Sequence, residues 1–168
     1  MRYLHRKEGL RLDLAIHLEL LETRTSLLDL VASAAQAYDN RDRDLIRSTF
    51  HEQASVDLGE MFGRHDGLDA ILASAEEFWA AASSMHHWTA NGLLEIDLPS
   101  GRATGSTALD CVCTFVDAGT YHCGGRYADT FARVDGRWMI SERRYEVQFM
   151  TALPKWEAAQ GSEAPVRR

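Results

Sequence analysis

The chain has 168 residues, enough for one domain whose core needs no disulfide staples. Hydrophobic residues make up 45% and charged residues 26%, the balance of an ordinary soluble globular protein. The 18 basic and 25 acidic side chains give a formal net charge of -7. This excludes the basic field that binding to nucleic acid or an anionic membrane requires, and no apolar run reaches the ~18 residues of a membrane span.

Residues 1–25 begin with Arg2, Arg6 and Lys7, and Arg11, Asp13, His17 and Glu19 interrupt the remainder of that segment. No continuous apolar stretch of a secretion signal is present, so a cytoplasmic location is expected. Leu10, Leu14, Ile16, Leu18 and Leu21 form a loose stripe, read as a helical extension. Ser26 with Asp29 resembles a capping box, with Asp in place of Glu. From there Leu27, Leu28, Val31, Ala34, Ala35 and Tyr38 recur at helical spacing, predicting an amphipathic helix over 26–38. Asp39 follows Ala35 by one helical repeat and ends the stripe that faces the core. It reads either as a helix-ending carboxylate or as an acid aimed into the interior.

Asp42 is placed to cap a short second helix holding Leu45, Ile46 and Phe50. A short strand is expected near Val56, then a loop. A third helix is predicted from Leu68 to Ala82, with Leu68, Ile71, Leu72, Ala75, Phe78, Trp79 and Ala82 on one face. The pattern then turns strand-like. His86 and His87 open the first long strand, and alternation turns one of them inward. Histidine is the side chain best placed to move protons near neutral pH.

Three more strands come next, divided by turns at 99–101, at Asp117 to Thr120 and at Asp135-Gly136. If Val116 pairs with Tyr121 across the second turn, Asp110 faces Tyr127 and Thr114 faces Cys123, while Cys111 and Cys113 point the other way. Asp110 beside Tyr127 is then either a polar handle in a pocket or a satisfied hydrogen-bonded pair. The three cysteines have no framework or zinc spacing and are read as buried or free thiols in a reducing compartment. In that register they are badly placed for a disulfide, and no metal is expected. In the last strand Arg143 shares a face with Tyr145, Val147 and Phe149, whereas Arg144 sits with Glu142, Glu146 and Gln148. Arg143 is therefore aimed inward and must meet an anion from the protein or a ligand. Residues 154–168 read as a loose tail. No nucleotide-binding, lipase-type or zinc-protease motif occurs, so no cofactor is expected.

Helices followed by strands joined by tight turns predict an α+β fold with a mostly antiparallel sheet, curved enough to enclose a pocket. The element order, "AYDNRD" after the first helix, "MHHWTANGLLEI" at the first long strand and "GGRYADTFARVDGRWMISERR" resemble the SnoaL-like branch of the nuclear transport factor 2 (NTF2)-like superfamily. The resemblance covers about residues 26–153. It is nearest to the scytalone dehydratase, lindane dehydrochlorinase and bile-acid 7α-dehydratase types. It implies a cone-shaped fold: a strongly curved mixed sheet wrapped round three helices with an internal pocket.

It also implies that Asp39 pairs with His87 as an acid–base dyad, with Arg143 in the same pocket. By the same resemblance Ala108, Asp110, Cys123, Gly125, Tyr127 and Val147 line that pocket, and Tyr38 is counted with them. The eliminating enzymes carry Lys or Tyr where this chain has Ala34, so Tyr127 or Asp110 would have to supply the proton for a leaving group. The expected function is a cofactor-independent lyase or isomerase on a small apolar or aromatic substrate. The alternatives are a polyketide-type cyclase and a non-catalytic binding or assembly module. A homodimer or homotrimer is expected, from the family and from the unburied N-terminal stripe.

Overall fold

The computed structural model describes residues 2–154, with side chains from Asp13 onward. The tail expected after 153 lies almost wholly outside the described residues, as does the side chain of Leu10.

Helix α1 spans Arg2–Asn40 as one continuous helix. The expected start at Ser26 is not there. Its hydroxyl donates to the carbonyl of Glu22 instead of capping a terminus, so the stripe at 26–38 is the packed half of a longer helix. Leu27, Val31, Ala34 and Ala37 of that half are buried in the main core. The helix stops where Arg41 enters the left-handed region at φ 56. The N–H of Asp42 then bonds the carbonyl of Ala37, and that of Arg41 the carbonyl of Tyr38. This is a Schellman cap, and it places Asp39 in the last turn. The Arg41 guanidinium donates to the carbonyl of Ala82 at 2.7 Å, tying the helix end to the strand that carries His87.

Asp42 caps α2 (Arg43–Thr49) by accepting from the N–H of Leu45 at 2.9 Å. Strand β1 (Phe50–Asp57), the single turn α3 (Gly59–Phe62) and a short strand β2 (Arg64–Asp66), where the sequence pattern predicts only a loop, lead into α4 (Leu68–Ala81). Trp79 of α4 donates its indole N–H to the carbonyl of Tyr38, pinning α4 to the end of α1.

The long strands are β3 (Ala82–Asp97), β4 (Arg102–Phe115), β5 (Gly119–Val134) and β6 (Arg137–Ala152). The sheet order is β2-β1-β6-β5-β4-β3. Among the described residues only β1 and β6 run parallel. This is the expected mixed, mostly antiparallel sheet. Strand β3 starts four residues before His86, so His87 lies within the strand and not at its opening. Asp135 and Gly136, both at positive φ, close the β5–β6 hairpin as a two-residue turn.

The β4–β5 turn differs from the expectation. Phe115 pairs with Gly119, leaving Val116 to Ala118 as the loop. Gly119 sits at φ 81, a conformation that glycine adopts without a Cβ penalty, and this decides where the chain reverses. Asp110 consequently faces Gly124 and Cys111 faces Cys123. The offset from the predicted register is odd, so every side chain of β4 changes face.

The largest buried side chains, led by Phe50, Phe131, Leu27, Ile46, Ile71 and Ile140, join α1, α2, α4 and the concave side of the sheet. Among the described residues no helix is long and apolar enough to cross a membrane.

Candidate active site

Between the sheet, α1, α3 and α4 lies a cavity of about 380 Å³. Phe62, Phe78 and Phe115 form one wall in edge-to-face contact, at 6.0 and 5.4 Å between ring centroids. The exposed lining residues Met61, Glu77 and Val147 mark the side on which it opens.

His87 lines the cavity with its side chain 11% exposed. Asp39 holds it twice. Its Oδ1 lies 2.5 Å from Nδ1 of the ring, and its Oδ2 accepts the backbone N–H of the same residue at 2.9 Å. With Nδ1 engaged, Nε2 is the nitrogen left for a ligand. The helix cap supplies one half of this arrangement and strand alternation the other. His86 has its side chain 60% exposed and stays 3.8 Å from Asp39.

Arg143 also lines the cavity, and its anion comes from the protein. Nε and Nη2 donate to the two carboxylate oxygens of Asp129, each at 2.8 Å, in a pair almost fully withdrawn from solvent. Nη1 is left over for another acceptor. The guanidinium lies 4.0 Å from the centroid of the Tyr127 ring, a cation–π contact. Burial pulls the Arg143 pKa down, but the charge and hydrogen bonds of Asp129 outweigh it and the net shift is upward.

Tyr127 and Tyr38 line the same cavity. Burial raises the pKa of both phenols, and the nearby Arg143 charge partly offsets it. Cys123 and Val147 line it too, as expected.

Three expected pocket residues are elsewhere. Asp110 and Ala108 lie on the outer face because of the odd register offset. Asp110 pairs there with His122. Gly125 does not line the cavity. A Cβ at that position would sit 2.2 Å from the carbonyl oxygen of Glu146 and 2.8 Å from the Tyr145 ring, so its bare backbone makes room for Tyr145. A bulge in β6 opposite Gly124 and Gly125 also turns Phe149 outward, where it meets the His122 ring, and brings Met150 to the cavity.

The same offset brings Cys111 and Cys113 inward, so the predicted split of the cysteines between two faces does not hold. All three thiols are free, buried and clustered at the cavity wall. A hydrogen bond to Cys113, reinforced by burial, drives the Cys111 pKa far up, and burial pushes the Cys123 thiol up to about 11.

Two contributors are not singled out by sequence reasoning. Asp129 sits two residues after Tyr127 on the same face, so alternation is the signal that points to it. Tyr145 shares a face with Arg143, but alternation assigns it no role. It lines the cavity, and its hydroxyl is buried without a hydrogen-bond partner among the described residues. Burial raises its pKa. A hydroxyl beside a cavity with no partner from the protein is placed to donate to whatever occupies that cavity.

Residues 19–144 match the family described as SnoaL-like domain. No curated protein matches the chain. Among solved structures, a type 2 hexachlorocyclohexane dehydrochlorinase (LinA) aligns at TM-score 0.79 and 21% identity. The alignment covers 87% of this chain and 99% of the other. The type 3 enzyme from Novosphingobium barchaimii gives 0.77 at 20%, over 86% and 99%. A scytalone dehydratase-like protein from Novosphingobium aromaticivorans gives 0.70 at 20%, over 80% and 89%. These likenesses are likenesses of fold.

Proposed function

The chain belongs to the SnoaL-like domain family of the NTF2-like superfamily, and from the site it carries we propose that it is a cofactor-independent lyase or isomerase acting on a small, mostly apolar or aromatic molecule. The observation that carries this reading is the double hold of Asp39 on His87, which fixes the ring and leaves Nε2 to the cavity. The dehydrochlorinase and dehydratase named among the neighbours fit the same chemistry.

His87 Nε2 takes a proton from a substrate carbon. The electron pair left behind either forms a double bond as a leaving group departs with its own pair, or moves onto an adjacent carbonyl oxygen as an enolate that is reprotonated elsewhere. Asp39 keeps the proton on Nδ1 and stabilises the imidazolium. Arg143 Nη1 and the hydroxyls of Tyr127 and Tyr145 donate to the departing group or the enolate oxygen. With Asp110 on the outer face and Ala34 fully buried, these phenols are the groups that take over the role of the missing leaving-group acid. A cytoplasmic setting and a homodimer or homotrimer remain part of this proposal.

The test is a panel of chlorinated cyclohexanes and hydroxylated aromatic ketones incubated in D2O, with mass spectrometry for elimination products and for deuterium gained at carbon. Turnover is expected in the parent, with His87→Ala reduced by about 10²–10⁴. Asp39→Asn should lose about 10⁴, the loss seen when an orienting carboxylate is removed from a related triad. Parent-level activity in His87→Ala would overturn the proposal.

A further inference from the structure

We propose that His87, Cys111 and Cys113 form a binding site for one thiophilic divalent cation of the zinc type, with its fourth coordination position open to the cavity. One ligand atom from each of these residues lies within 4.8 Å of the other two. Zinc bonds of about 2.0–2.1 Å to nitrogen and 2.3 Å to sulfur hold tetrahedral donors somewhat nearer than this, so the three side chains have to draw together on binding.

The Cys-x-Cys spacing, unlike the helical or knuckle spacings of structural zinc sites, is the one that puts two thiols on one face of a strand. His87 is the nearest imidazole-bearing position on the next strand, where it pairs with Cys111. Its outer support is already in place. A carboxylate on Nδ1 fixes the tautomer and presents Nε2, as carboxylates do behind metal-bound histidines. Three protein ligands and one open position is the pattern of a site that keeps a place for water or substrate.

Binding requires both thiols to release their protons, against the burial that holds them neutral, and the bound state then joins two thiolates and a divalent ion as a neutral cluster in an apolar cavity. Cys123 faces Cys111 across the strands but is not one of the three. A cation on Nε2 occupies the lone pair that the proposed function uses as a base, so binding at this site would block the Asp39–His87 dyad.

The experiment titrates reduced, chelator-stripped, untagged protein with Cd²⁺ and follows the thiolate-to-cadmium absorption band in the ultraviolet, with Zn²⁺ as competitor. Saturation at one ion per chain with displacement by Zn²⁺ is expected. Cys113→Ser and Cys111→Ser should each weaken binding at least tenfold, and Cys123→Ser should not. Asp39→Asn should weaken it about ten- to hundredfold without removing a ligand. Should a cysteine variant fail to fold, alkylation of the unmutated protein mapped by peptide mass gives the same answer, since equimolar Zn²⁺ should protect Cys111 and Cys113. Absence of the band at stoichiometric Cd²⁺, unaltered affinity in Cys113→Ser, or no protection by Zn²⁺ would each overturn the proposal.

Discussion

The Tyr145 hydroxyl separates stability from function at a single atom. It is buried and unpaired, so Tyr145→Phe removes a desolvated group that gives nothing back in the free protein. The variant should be as stable as the parent or gain about 1 kcal/mol in urea melts. If the hydroxyl donates to the reacting oxygen, activity on a true substrate should fall while stability does not. Arg143 behaves in the opposite way. Truncating it to Ala leaves the Asp129 carboxylate buried and alone, and should cost about 3–5 kcal/mol. Replacing both partners by apolar residues of similar volume should cost less than Arg143→Ala alone, and a double-mutant cycle measures the difference. The thiols give a pH signature. With the Cys123 pKa pushed up to about 11 by burial, the reactive thiolate is scarce near neutrality. Its alkylation rate at constant iodoacetamide should keep rising past the usual thiol range toward pH 11.

Hairpin geometry at the element scale decided which side chains reach the site. Gly119 at φ 81 sets the β4–β5 register. Its Cβ position is open, so Gly119→Ala strains the backbone without a clash, at about 1–2 kcal/mol for a left-handed residue with a side chain. Thermal unfolding checks this, and the fold should survive. Gly125→Ala is different in kind. Its Cβ would run into the Glu146 carbonyl and the Tyr145 ring, and a forced shift there costs about 1–3 kcal/mol and disturbs the cavity wall. The end of α1 works the same way. The left-handed Arg41 ends the helix, and its guanidinium locks that end to β3, bringing together Asp39 and His87 from opposite ends of the first half of the domain.

The whole molecule leaves apolar surface that its own core does not cover. Leu14, Leu18 and Leu21 on α1, with Trp88 and Leu93 on the edge strand β3, are all about half exposed or more. Self-association through these surfaces is the proposal that accounts for them. Multi-angle light scattering should show a dimer or trimer, and the Leu18→Lys, Leu21→Lys double variant should shift it toward monomer. A parent that stays monomeric at high concentration would remove the proposal.

Periodicity, with the Asp42 cap and the turn residues, placed the packed half of α1, α2, α4 and the four long strands, because an apolar stripe at helical or alternate spacing has only one way to meet a core. It did not give the start of α1, the single turn α3 or strand β2. The same alternation aimed Arg143 inward. Resemblance in the strand and helix-end motifs pointed to the meeting of Asp39 and His87, two residues far apart in the chain. What the sequence left open was register. Whether Asp110 or Cys111 faces the pocket depends on which residue of a Gly-containing loop takes positive φ. Whether Phe149 or Met150 does depends on a bulge opposite Gly124 and Gly125. Strand alternation repeats every second residue, so both choices satisfy the local pattern equally. Only the packing of Tyr145 against a bare glycine, of Arg143 against Asp129 and of three thiols against one another selects between them.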